Sequence, residues 1–297
     1  MGAIAQTDPY RVDWSEKVAG LVEMARDERR WYEATAASLV QPGDRVAVDV
    51  GCGAGGMTLA LAAALRGPDA RVLAVDAEPE LLAAVADQVA ARTAGSVAQV
   101  DVLAADLDHG VEPLRAALAG PADLVWASVS VHHVGDQQAA VTALAGLLAP
   151  GGRLALAEGG LAARHLPWDV GVGEPGLEVR LEAANDRWFV RMRAELPGSV
   201  RMPYGWTEAL RRAGLTSVTT RTTLREHPVP LPEVDRLKVV ERLTRWVDRL
   251  RPTRLLSPDD LAAWDRLLDA DDPAWLGHRN DLYRLDARSV HLGVRPG

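Results

Sequence analysis

The chain has 297 residues, 48% of them hydrophobic, with 33 basic and 41 acidic side chains and a net charge of −8. No apolar run reaches the roughly 18 residues a membrane-spanning helix needs, and the single cysteine, Cys52, excludes an intrachain disulfide or a cysteine-based zinc site. Residues 1–199 carry 16 basic and 27 acidic side chains (16 − 27 = −11) and residues 200–297 carry 17 and 14 (17 − 14 = +3), so neither part offers the clustered basic surface that nucleic acid wants.

Met1 to Tyr10 has neither a basic region nor an apolar run, so no secretory signal is expected and a cytoplasmic enzyme is the natural class. Lys17 and Lys238 are the only lysines against abundant Arg and Ala, which reads as bacterial, high-GC composition. Residues 11–40 read as one or two helices, with Val18, Leu21, Val22 and Met24, then Trp31, Ala34 and Leu39, at helical spacing. Arg29, Arg30, Trp31 and Tyr32 could face a ligand; alternatively Trp31 and Tyr32 pack on the sheet. Gln41-Pro42-Gly43-Asp44 stops the helix. Val46 to Val50 then forms a strand, Gly51-Cys52-Gly53-Ala54-Gly55-Gly56 a glycine turn, and Met57 to Leu65 an alanine-leucine helix. Such a turn bares backbone N–H groups at a helix start. Gly51, Gly53 and Gly56 satisfy G-x-G-x-x-G, which alone fits a dinucleotide. Asp49, at the penultimate position of an apolar strand, needs a partner. A phosphate would repel it, whereas an ammonium group would pair with it.

Ala70 to Asp76 is a second strand ending in an acid, a position from which a carboxylate accepts two hydrogen bonds from a ribose diol. Glu78-Pro79 opens a helix with Leu81, Leu82, Val85 and Val89 as its stripe and Gly95 past its end. Val97 to Leu103 is the third strand, followed by Asp106 and Leu107. The fourth strand lies within Ala122 to Val134, with Ser128 at its end and His132-His133 beyond. On extended backbone adjacent histidines point apart, so the pair makes a poor chelate and no metal site is expected. Asp136 caps the helix Ala139 to Leu148, Ala149-Pro150-Gly151-Gly152 reverses the chain, and Arg153 to Glu158 is the fifth strand. Gly159 to Pro203 is too long for a plain connection and includes a helical piece from about Glu178 to Glu195. Tyr204 to Arg212 reads as a helix, Ser217 to Leu224 as strand six, Glu233 to Leu250 as an amphipathic helix, Ser257 to Leu268 as a capped helix and Ser289 to Val294 as strand seven.

Asp49-Val50-Gly51-Cys52-Gly53-Ala54-Gly55 resembles the first motif of the class I S-adenosylmethionine-dependent methyltransferases, an acid followed by G-x-G-x-G. The stretch from Asp123 to the His pair resembles that family's fourth motif, and Leu147-Leu148-Ala149-Pro150-Gly151-Gly152-Arg153-Leu154 is typical of it. The resemblance covers about Arg45 to Glu158 well, and 204–224 and 289–294 loosely. It implies a Rossmann-like α/β fold, a mostly parallel seven-stranded sheet whose antiparallel last strand lies between strands five and six. The expected organisation is one methyltransferase domain over 1–297. Within it, 1–40 is an N-terminal helical cap, 45–158 the cofactor-binding core, 159–203 an insertion or cap, and 204–297 carries strands six and seven with a helical insertion at 231–270.

The resemblance implies S-adenosylmethionine as cofactor. Gly51, Cys52, Gly53 and Gly55 would approach its methionine part and Asp49 its ammonium through water. Asp76, with Ala77 beside it, would take the ribose. Asp106 would accept the adenine amino group while Leu107 stacks, and Ser128 would lie under the sulfur end. The expected reaction is in-line methyl transfer to an oxygen, nitrogen or carbon of a small-molecule acceptor. Candidate bases are His132, His133 and Glu158, with His133 favoured because it precedes an apolar residue, Val134, as in the family motif. No Asn-Pro-Pro-Tyr type motif follows strand four, which argues against methylation of DNA bases. No nucleic-acid or membrane partner is expected. Trp14, Trp31, Trp168, Trp188, Trp246 and Trp264 fall in the segments no motif places, and suit a flat apolar acceptor or a homodimer interface. Two other readings stand beside this one. An NAD(P)-dependent oxidoreductase would use Gly51, Gly53, Gly56 and Asp76, but Asp49 beside a pyrophosphate argues against it. A non-catalytic binding protein of the same fold is disfavoured by the intact Asp49, Asp76 and Asp106 set.

Overall fold

The computed structural model describes residues 10, 18–91, 98–227 and 229–297. The expected helix end at Gly95, the strand start at Val97 and Trp14 lie outside them. The strands are β1 (Val46–Val50), β2 (Arg71–Asp76), β3 (Gln99–Ala104), β4 (Ala122–Ser128), β5 (Leu148–Arg164), β6 (Thr216–His227) and β7 (Arg284–Val294). They form one sheet in the order β3-β2-β1-β4-β5-β7-β6. From β3 to β5 the pairing is parallel, with Asp49 level with Ala74 and Trp126, and Ser128 level with Ala157. β7 runs antiparallel beside β5: the amide of Gly151 donates to Arg295 O at 2.9 Å and that of Arg295 to Gly152 O at 2.8 Å.

The helices are α1 (Val18–Asp27), α2 (Arg29–Leu39), α3 (Gly56–Ala64), α4 (Pro79–Ala90), α5 (Glu112–Leu118), α6 (Gln137–Ala145), α7 (Leu177–Glu195), α8 (Trp206–Arg212), α9 (Glu233–Leu250) and α10 (Pro258–Leu268). Strand alternation splits the core in two. Val48, Val50, Val125, Ala127, Leu154 and Leu156 face one side, under Leu114, Val141, Leu144 and Leu210. Ala47, Leu124, Trp126 and Ala155 face the other, under Tyr32, Met57 and Leu61. Asp49 follows the parity of Ala47, so it points to the side that α3 covers. This is why a hydroxyl of that helix reaches it.

The chain divides into two compact units. One holds the described residues of Asp13–Gly159 together with Pro197–Arg221 and Ser289–Gly297; the other holds Gly160–Leu196, Thr222–Arg288 and Tyr10. The second unit has its own helical core, in which Leu181, Trp188, Leu243, Val247, Trp264 and Leu267 pack together. Trp188 and Trp264 are thereby taken up by packing, with 3% and 0% exposure, and are not free to form the aromatic acceptor wall or interface that the sequence suggests. Trp31 likewise packs on the buried Trp126 at 6.1 Å, and Tyr32 is buried.

Two local expectations are revised. Pro150-Gly151-Gly152 belongs to β5, because Gly151 and Gly152 pair with Arg295 where a turn was expected. A register shift between Ala122 and Leu124 absorbs the irregularity on the β4 side. The His pair stands in a 3₁₀ turn over Val131–His133 and not on extended backbone, so the two rings come together, their centroids 4.2 Å apart.

Candidate functional site

The turn after β1 is built from left-handed glycines. Gly51, Gly53 and Gly55 have φ of 64°, 52° and 82°, a region costly for side-chain-bearing residues. A Cβ on Gly51 would lie 2.4 Å from Ser130 Cβ, and one on Gly56 would lie 2.6 Å from the Tyr32 ring, so neighbouring chain fills the space a side chain would need. Gly53 differs, since a Cβ there would meet nothing within 4 Å and the turn is open on that side. Gly53 N donates to Asp76 Oδ2 at 2.8 Å, and Glu78 N to Oδ1 at 3.1 Å. The carboxylate at the end of β2 is thus pinned to the turn while each oxygen keeps acceptor capacity. Burial raises the Asp76 pKa above its ordinary value. Cys52 is buried, and its thiol is pushed up by that burial and by Asp49 and Asp76. Ala77 is exposed at the start of the next loop.

Asp49 is 1% exposed and accepts a hydrogen bond from Thr58 Oγ1 at 2.6 Å. Desolvation lifts its pKa from 3.8 to about 7, against the Thr58 hydrogen bond, which lowers it, and with a further push from Asp76. Asp106 lies beyond β3, whose last residue, Ala104, is level with Asp76. Its carboxylate caps a short 3₁₀ turn by accepting from Asp108 N at 2.9 Å, and Leu107 packs half-buried against the core. The neighbouring Asp108 accepts the Gly135 amide at 2.8 Å and so ties the loop after β3 to the loop after β4. The cofactor candidates thus sit at the carboxyl ends of β1, β2, β3 and β4, the usual ligand edge of an open parallel sheet.

Beyond Ser128 the chain turns sharply. Val129 takes φ of 51° with 52% exposure, an outlier for a β-branched residue. Ser130 follows, its Oγ donating to Val50 O at 3.3 Å. Glu158, only 1% exposed at the end of the parallel part of β5, accepts the amides of Ser130 and Val131 at 3.0 and 2.9 Å. Its other oxygen lies 2.6 Å from His132 Nδ1. A carboxylate only accepts, so Nδ1 carries the proton and the basic lone pair of the neutral ring is on Nε2. Glu158, offered by the sequence as a base, is enclosed and engaged by three donors, one of them His132 Nδ1.

The same arrangement recurs in the other unit. There Glu178 accepts the amides of His165 and Leu166, each at 3.0 Å, and His165 Nδ1 at 2.8 Å. His165 is 0% exposed, whereas the His132 side chain is 21% exposed. The clamp by itself is therefore a loop-fixing device. What sets His132 apart is that its ring reaches the surface at the strand ends.

Thr58, Ser130 and the Glu158 clamp are not visible in sequence motifs. Thr58 could have been found by asking which residue one turn into α3 faces the parity of Asp49. Among the described residues no group of three His, Cys, Asp or Glu could hold a metal ion, and no helix is long and apolar enough to cross a membrane.

Residues 48–154 match the family model described as a methyltransferase domain. A trans-aconitate 2-methyltransferase of Paracidovorax citrulli is 26% identical over 223 residues, covering 70% of this chain and 79% of the relative. A second trans-aconitate 2-methyltransferase, from Methylobacterium radiotolerans, is 32% identical over 148 residues, 46% of this chain; the chain spans only about half of that relative, 51%. Among solved structures, a Bacillus halodurans C-125 protein described as a methyltransferase is similar with a TM-score of 0.50 at 14% identity, over 89% of this chain and 99% of the other.

Proposed function

We propose that this chain, which is a class I S-adenosylmethionine-dependent methyltransferase, methylates a small molecule by in-line displacement, with His132 facing the acceptor. The observation that carries the reading is the His132–Glu158 pair at 2.6 Å, set at the rim of β4 and β5 beyond Ser128.

The fit to the cofactor rests on the turn that is open at Gly53, and on Asp76 and Asp49 beside it. When bound, S-adenosylmethionine supplies a methyl group on a sulfonium leaving group. Asp49 is the carboxylate for the ammonium, and its raised pKa is the mark of a buried acid without a cation. Asp76 accepts the ribose hydroxyls. Asp106 and Leu107 frame the adenine. His132 takes a proton from an acceptor O–H or N–H at Nε2, and Glu158 stabilises the imidazolium that results. This assigns to His132 the role that the sequence motif alone gives to His133.

The relatives' names favour one acceptor class in particular, a small carboxylic acid. A carboxylate arrives already ionised and needs no base; His132 then orients it as the imidazolium, with Nδ1–H on Glu158 and Nε2–H donating to the acceptor. S-adenosylhomocysteine release, measured over a panel of carboxylic acids headed by trans-aconitate and of phenols, alcohols and amines, tests the proposal. Turnover with one class supports it. Turnover with none of them, but with a DNA or protein acceptor, removes it.

A further inference from the structure

We propose that His291 is a positioning residue for the Glu158–His132 pair. The inference rests on the reading of His132 as the group facing the acceptor. His291 lies on β7, between β5 and β6. Its Nε2 is 3.0 Å from the main-chain oxygen of Glu158 on β5, and its Nδ1 is 2.8 Å from Thr220 Oγ1 on β6. A carbonyl oxygen only accepts, so Nε2 carries a proton and donates. In the neutral ring Nδ1 then accepts from the Thr220 hydroxyl. The imidazole therefore stretches across three strands and is oriented at both ends.

The place it holds is the one the site depends on. The two residues after Glu158 are glycines in the left-handed region, Gly159 at φ 73° and Gly160 at φ 116°. Neither has a side chain to anchor the backbone at this point of β5. His291 grips the Glu158 peptide from the adjoining strand, and the Glu158 side chain in turn holds Ser130 N, Val131 N and His132 Nδ1. A continuous series, Thr220–His291–Glu158–His132, thus connects the exposed edge strand to the ring at the rim. The contacts of Thr220 and Glu158 with His291 explain why a histidine, with one donor and one acceptor on opposite sides of a flat ring, stands in a strand that otherwise needs only apolar or small residues there.

The test is histidine-selective ¹⁵N NMR of the full chain saturated with S-adenosylhomocysteine, reading the Nδ1–H to Nε2–H tautomer ratio of His132. Glu158→Gln sets the signature of a released ring. His291→Leu should move the ratio toward that signature by about three- to tenfold, the factor a lost hydrogen bond carries. His291→Gln, which keeps one donor and one acceptor, should restore it. Thr220→Val, on the exposed strand, should shift it in the same direction by less, and it decides the matter if His291→Leu does not fold. A wild-type His132 signature in folded His291→Leu, or in Thr220→Val when that variant decides, overturns the proposal, as does an unchanged signature in Glu158→Gln. The readout is independent of turnover. If His132→Ala keeps full activity while His291→Leu shifts the tautomer, the acceptor-facing role of His132 fails and the positioning stands. The reverse pattern removes the positioning alone.

Discussion

Glu158 Oε2 stands 2.6 Å from His132 Nδ1, and Glu158 Oε1 takes the amides of Ser130 and Val131, so one buried carboxylate fixes both a loop and the tautomer of a ring. The rings of the two histidines of that loop are tilted neighbours, their centroids 4.2 Å apart. His132→Ala should lower turnover by about 10²–10⁴-fold if the acceptor needs a base, with S-adenosylhomocysteine affinity within about threefold of wild type. His133→Ala should cost less than about tenfold, since the Glu158 carboxylate orients the neighbouring ring of His132 for proton transfer. Steady-state kinetics with calorimetry check both; equal losses in the two variants would mean that the loop, not His132, is what matters.

Asp49 predicts a pH dependence of stability. Its pKa is raised on folding from 3.8 to about 7, so the folded state holds the proton more tightly. The favourable contribution is complete below about pH 3.8 and is lost as pH rises to about 7. Between pH 4.5 and 7.5, cofactor-free protein should lose on the order of a few kcal/mol relative to Asp49→Asn, by urea denaturation. Affinity for S-adenosylhomocysteine should strengthen over the same window, because its ammonium pairs with the ionised acid. Parallel stability curves for wild type and Asp49→Asn would show that the carboxyl is not desolvated.

Asp76→Ala should weaken cofactor binding by about 1.5–3 kcal/mol, the range for losing hydrogen bonds to a charged group. The Gly53 amide loses its partner as well, so the glycine turn should loosen without unfolding the domain. Titration calorimetry and a thermal melt separate the two effects. An unchanged dissociation constant would place the ribose elsewhere.

Gly51→Ala should destabilise by about 2–4 kcal/mol, combining a left-handed backbone with overpacking. The added Cβ would lie 2.4 Å from Ser130 Cβ, so Ser130→Gly in the same chain should recover part of the loss. Additive effects in the double variant would mean that backbone strain at Gly51 accounts for the whole cost.

The β1-to-β4 part of the sheet was legible because local chemistry dictates it. Asp49, the Gly51 turn and Asp76 each follow from strand, turn and charge within a short window. The antiparallel β7 between β5 and β6 came from the family resemblance. His132 and Glu158 were each recognised as candidates, but their roles depend on a contact across 26 positions, and a 3₁₀ turn replaced the extended backbone assumed there. The helical core around Trp188 and Trp264 was read as two separate insertions, because nothing in either segment signals that their apolar faces belong together.

Titration calorimetry of the wild-type chain with S-adenosylhomocysteine and, separately, with NADH decides which cofactor the glycine turn takes. Saturable binding of S-adenosylhomocysteine that weakens in Asp49→Asn and Asp76→Ala, with none of NADH, is the expected result. Tight NADH binding with no heat from S-adenosylhomocysteine would contradict it.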